Sequence, residues 1–109
     1  MNSKYLAESP EVLREYLGYM ETVKGRSANT VNGYFIDLRT FFRYIKVQRG
    51  LVDKSVPFEE ISISDVDLTL IRTIDLTMVF EYLNYVGAKR GNSVNTRSRK
   101  VSSLRTFFK

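Results

Sequence analysis

Residues 27–50 read SANTVNGYFIDLRTFFRYIKVQRG. Val31, Tyr34, Phe35, Leu38, Phe41, Phe42 and Ile45 recur at spacings of three and four, the signature of one buried face on an α-helix of about 3.6 residues per turn. Ser27 has the hydroxyl that an N-cap needs, and Gly50 suits the left-handed exit of a helix. With Leu38 at the centre of the apolar face, steps of about 100° place Asn29, Gly33, Asp37, Thr40 and Arg43 on the far side. That side is predicted to be polar, lightly built and open.

Working outward, Ser9, Pro10 and Glu11 form a helix start, with Ser9 as cap. Leu13, Tyr16, Leu17, Met20 and Val23 make its apolar stripe, which stops near Gly25. On the other side, residues 51–72 carry Pro57 and many acidic groups, and predict an irregular connection with at most a short helix after Ser64. Asp75 caps a further helix, with Ile74 and Val79 as a hydrophobic staple. Leu76, Val79, Phe80, Leu83 and Val86 form its stripe, and Gly87 and Gly91 close it. A last helix starts at Ser93 and turns Val101, Leu104 and Phe108 inward, flanked by Phe107. No alternation of strand with helix is present, so the fold class is all-α, a four-to-five-helix orthogonal bundle. The 109 residues fit a single domain. The apolar pair Phe107 and Phe108 in a running helix leads us to expect a fragment of a longer protein.

Composition removes most enzyme chemistry. The chain has no Cys and no His, so disulfides, cysteine or histidine zinc sites, thiol nucleophiles and imidazole relays are excluded. Tyr16 and Tyr34 lie within helix stripes, where a core ring with its hydroxyl at the edge is the better reading than a nucleophile. Asp65 and Asp67 lack a third ligand at suitable spacing for a metal, and no cofactor pattern is present. No apolar run approaches the roughly 20 residues needed to span a bilayer, and residues 1–4 lead into no signal-peptide core. A cytoplasmic protein with no membrane partner is expected.

Charge points to an anionic partner. The net charge is +5, and its distribution is uneven. Residues 1–23 hold two basic and four acidic groups, and residues 24–49 hold six and one. Residues 50–88 hold two and seven, whereas residues 89–109 hold seven and none. Within the last block, Thr96, Arg99, Ser102, Ser103 and Thr106 share the outward side of the final helix, with Lys100 and Arg105 at its borders, and Arg97, one turn before Val101, is counted with them as a candidate DNA contact. Slim hydroxylated side chains among Arg and Lys suit a helix in a duplex groove. At the other block, Lys24, Arg26, Ser27, Asn29 and Thr30 surround a helix N-terminus, where free N–H groups and the dipole attract phosphate. Gly33 costs about 0.8–1 kcal/mol in mid-helix, and its place opposite the stripe favours close approach of an external backbone. Arg43, on the same far side, joins this candidate DNA-binding set.

Two segments carry a family resemblance. Ser27 to Tyr44 reads S-x-N-T-V-x-x-Y-x-x-D-L-R-x-F-x-x-Y, and Thr96 to Lys109 reads T-x-x-R-K-x-x-S-L-R-x-F-F-K. With IDLTMVFEYLNYV between them, at residues 74–86, these resemble the N-terminal core-binding, or SAM-like, domain of tyrosine recombinases, the group of phage and transposon integrases and Xer-type resolvases. The resemblance spans about residues 9–109. It implies a helical bundle forming one jaw of a clamp around duplex DNA at a recombination core site, with other recombinase protomers bound alongside. By position it implies contacts from Ser27, Asn29, Thr30 and Gly33 and from Thr96, Arg99, Lys100 and Ser103. The family's catalytic Arg, Lys, His and Tyr belong to a following domain, so the resemblance implies binding without cleavage. The competing expectation keeps the fold and docks an acidic protein on the basic faces.

Overall fold

The computed structural model describes residues 3–88 and residue 107. The chain divides into two compact units, Met1–Asp67 and Leu68–Lys109, and helices with no strand account for the regular structure among the described residues. The fold class is all-α, a helical bundle. In the first unit, α1 spans Ser3–Glu8, α2 Glu11–Thr22 and α3 Ala28–Gln48, followed by a 3-10 turn at Phe58–Glu60. In the second, α4 spans Leu68–Ile71 and α5 Leu76–Ala88.

The core of the first unit is the apolar face of α3 packed with that of α2. Val31, Phe35, Leu38, Phe41, Phe42 and Ile45 are fully buried, as are Leu13 and Leu17 on α2, with Met20 nearly so. The stripe read from the sequence is therefore the real packing face, with Tyr34 half-buried at its border. Val23, placed on the α2 stripe, lies past the helix end and is 67% exposed. The end of α3 is a Schellman exit: Gly50 sits at φ +66°, its N–H donates to the Val47 carbonyl, and the Leu51 N–H donates to that of Lys46.

α1 was not foreseen. It is a six-residue helix held on α3 by Tyr5 stacked on Phe35, ring centroids 4.6 Å apart, and by Glu8, whose carboxylate accepts from the Arg39 guanidinium at 3.2 Å. The Arg39 guanidinium also lies over the rings of Tyr5 and Phe35. Ser9, expected to cap α2, instead donates its hydroxyl to the Tyr5 carbonyl at 2.7 Å and closes α1. Pro10 holds the N-cap position of α2 with no side-chain cap bond.

The far side of α3 is open, as expected, only towards its N-terminal end, at Asn29 and Gly33. Asp37, Thr40, Arg43 and Lys46 are all buried, because the connection from residue 51 folds back over this side and buries Ile61, Ile63 and Val66. Arg43, placed among the DNA contacts, is 5% exposed: its Nε donates to the Ile61 carbonyl at 2.8 Å, and its guanidinium lies 3.7 Å from Glu59. One turn later, Lys46 Nζ donates to the Ser62 carbonyl at 2.8 Å and to Asp65 at 2.7 Å. Arg43 is therefore a strut of the fold and leaves the set of candidate contacts.

In the second unit, the Met78 N–H donates to the Asp75 carboxylate at 2.9 Å, which is the cap expected there. The stripe of α5 is turned from the expected one. Val86 is fully buried as expected, and Val79 and Leu83 are half-buried, but Tyr82 is also fully buried, whereas Leu76 and Phe80 are 67% and 57% exposed. α5 is apolar on two sides, so periodicity alone does not choose between them. The helix continues through Gly87 to Ala88.

Two stability outcomes follow from the buried cations. Arg43→Met should lower the unfolding free energy by about 2 kcal/mol in a urea titration, because the Ile61 carbonyl loses a charge-assisted bond inside the unit. The Lys46 hydrogen bond, working against slight burial, holds the Asp65 carboxyl below the usual carboxylate range. A carboxyl lowered on folding contributes its stability above about pH 4 and loses it as pH falls through the folded value. Asp65→Asn should thus lower the melting temperature at pH 7, by an amount equivalent to about 1 kcal/mol or less, and the deficit should shrink towards pH 3.

Candidate nucleic-acid interface

The corner between α2 and α3 is built by backbone geometry. Past Thr22, the Val23 and Lys24 N–H groups both donate to the Tyr19 carbonyl, at 2.9 and 3.1 Å. Gly25 then takes φ +67°, a conformation that favours glycine, and the Arg26 N–H donates to the Met20 carbonyl at 3.0 Å. This reversal sets Ser27 extended as the N-cap of α3. Its hydroxyl accepts from the Thr30 N–H at 3.2 Å and donates to the Thr30 hydroxyl at 2.9 Å. Helix geometry leaves the Ala28 and Asn29 N–H groups without an intrahelical acceptor, at the positive end of a 21-residue helix.

Lys24, Arg26, Ser27, Asn29 and Thr30 are all exposed at this corner, and Gly33 is half-exposed one turn further along α3. A Cβ on Gly33 would meet nothing within 4 Å among the described residues, so packing within the chain does not require glycine there. The hydroxyl of Tyr16 is turned inward: burial pushes its pKa up to about 12, helped by Tyr34 and opposed by Arg26. Burial thus favours the neutral phenol of Tyr16.

The six basic groups of residues 24–49 do not act as one block. Arg39, Arg43 and Lys46 are engaged by Glu8, by Ile61 with Glu59, and by Asp65 with Ser62. Lys24 and Arg26 are exposed beside the α3 N-terminus, and Arg49 is exposed at its C-terminal end. Thr96, Arg97, Arg99, Lys100, Ser103 and Arg105 lie outside the described residues. Tyr19, not among the residues picked out by sequence, is 46% exposed at the same corner with Lys24 Nζ 5.9 Å from its ring centre. Its position off the Leu13, Leu17 and Met20 line was the available signal.

Comparison with known proteins decides the family. Over 99 residues, 91% of this chain, it is 48% identical to the tyrosine recombinase XerC of Caldanaerobacter subterraneus subsp. tengcongensis. It is 30% identical over 99 residues to the tyrosine recombinase XerC of Leptospira interrogans. This chain belongs to the tyrosine recombinases. It is also 26% identical over 98 residues to the tyrosine recombinase XerD of Listeria monocytogenes. The match spans 26 to 28% of the length of these recombinases. No family model matches the chain. No solved structure matches it.

Two glycine substitutions separate packing from contact. Gly33→Ala and Gly18→Ala both place a methyl in open space on a helix, and each should raise stability by about 0.5–1 kcal/mol in thermal unfolding. Only Gly33→Ala should weaken binding to duplex DNA. Equal DNA affinity for both variants removes Gly33 from the interface.

Proposed function

We propose that this tyrosine recombinase segment is the core-binding domain that seats the enzyme on duplex DNA at its recombination site. It corresponds to the N-terminal jaw of the clamp and contacts DNA chiefly through phosphates. The observation that carries this reading is the segregation of cations along α3: those of its second half are neutralised inside the unit, and Lys24 and Arg26 stand exposed around a capped helix N-terminus. Backbone N–H groups, a helix dipole and two cations at one corner form an arrangement that suits a phosphodiester. Asn29, Thr30 and Gly33 continue along the helix and give it a slim edge for a groove.

In this reading the chain binds without cutting, and strand cleavage and rejoining belong to the part of the recombinase that it does not match. Thr96, Arg97, Arg99, Lys100, Ser103 and Arg105 supply the second contact, and other protomers occupy the neighbouring half of the site. The enzyme works where the DNA is, in the cytoplasm. No helix among the described residues is long and apolar enough to cross a membrane.

A salt titration of duplex affinity by fluorescence anisotropy tests the reading. Each phosphate contact contributes about −0.9 to the slope of log affinity against log salt. Replacing Lys24 and Arg26 together by Ala should flatten the slope by about 2, and Arg99→Ala with Lys100→Ala should do the same. Neither pair should lower the melting temperature. A slope that both pairs leave unchanged contradicts the assignment.

A further inference from the structure

Three tyrosines lie on or beside the corner that joins α2 to α3, and they are presented differently. Tyr16 is half-buried with its hydroxyl inward, Tyr34 is half-buried on α3, and Tyr19 projects from α2 with 46% of its surface exposed. Tyr19 is also tied to the cationic turn. Its carbonyl accepts from both the Val23 and Lys24 N–H groups, and Lys24 Nζ returns to within 5.9 Å of its ring centre. Val23, 67% exposed, extends the apolar surface of the same turn.

A single exposed aromatic residue needs no explanation. A ring held under a lysine, at the turn that leads into a helix N-terminus with a second cation at Arg26, has the makeup of sites that grip unpaired nucleic acid. Such sites combine a cationic track for the backbone with an aromatic face on which a base stacks. The inward faces of intact duplex bases are already stacked, so a protruding ring gains this contact only where a base is free.

Resting on the reading of the corner as a DNA contact, we propose that Tyr19 is a stacking platform for an unpaired base. The α2–α3 corner then prefers DNA with a short single-stranded gap over continuous duplex. Lys24 takes one face of the ring and the base takes the other, while Lys24 and Arg26 hold the flanking phosphates. The preference comes from the ring and the general affinity from the cations, so the two separate by substitution.

The test compares the chain on two fluorescent probes of equal length, a continuous duplex and the same duplex with a three-nucleotide gap carrying 2-aminopurine. The wild-type chain should bind the gapped probe about tenfold more tightly, within the range of one base–aromatic stack, and should quench the 2-aminopurine. Tyr19→Phe should keep both effects. Tyr19→Leu, which keeps apolar surface without a π face, should abolish the preference and the quenching while leaving duplex affinity unchanged. Equal wild-type affinity for the two probes, or a preference that survives Tyr19→Leu, overturns the proposal. Because duplex affinity is read in the same experiment, a wild-type chain that fails to bind duplex contradicts the proposed function separately from the stacking role.

Discussion

The second half of α3 depends on burying two cations, Arg43 and Lys46, against a strand of irregular backbone. Neither can be taken from water without partners, since an unpaired buried charge is strongly destabilising. The connection supplies those partners as carbonyls at Ile61 and Ser62 and carboxylates at Glu59 and Asp65. The same segment inserts Ile61, Ile63 and Val66 into the core. Polar and apolar anchors thus alternate along one stretch, and together they fix a connection that has almost no regular structure of its own. Arg39 repeats the device on the other flank, pairing with Glu8 and covering Tyr5 to hold α1.

This constraint shapes the electrostatics that matter for binding. A count of charges along the sequence credits residues 24–49 with a surplus of cations, and folding removes half of them from the surface ledger. Of the three left exposed, Arg49 sits at the far end of α3, and Lys24 and Arg26 share the α2–α3 corner, where Gly25 and the Ser27 cap bring them together with the helix N-terminus. A small local field beside free N–H groups is better suited to one phosphate run than a diffuse charge spread along a helix.

The elements governed by local rules were legible in the sequence. The α3 face follows from periodicity, and the caps at Ser27 and Asp75 and the exits at Gly25 and Gly50 follow from residue chemistry that needs no tertiary knowledge. What could not be read was which second surface of a helix another segment would cover. A helical wheel treats the side opposite the core as solvent, and that assumption misplaced Arg43. The acidic run facing it in sequence, interleaved with Ile61, Ile63 and Val66, was the signal that the far side had a partner. For α5, two apolar sides offered two equally good stripes, and the structure keeps Val86 of the expected one but buries Tyr82 instead of Leu76 and Phe80. α1 is too short for periodicity to register, and its docking by one stack and one ion pair is a tertiary matter.

The central claim is that α3 divides its labour, with its N-terminal end facing DNA and its second half locked inside. Backbone amide chemical shifts followed by NMR during titration with duplex DNA test this residue by residue. The account predicts shifts clustered from Lys24 to Gly33, with the amides of Arg39 to Lys46 and Ile61 to Asp65 unmoved. Shifts centred on Arg43, Lys46 and their connection, with a silent α2–α3 corner, would contradict it.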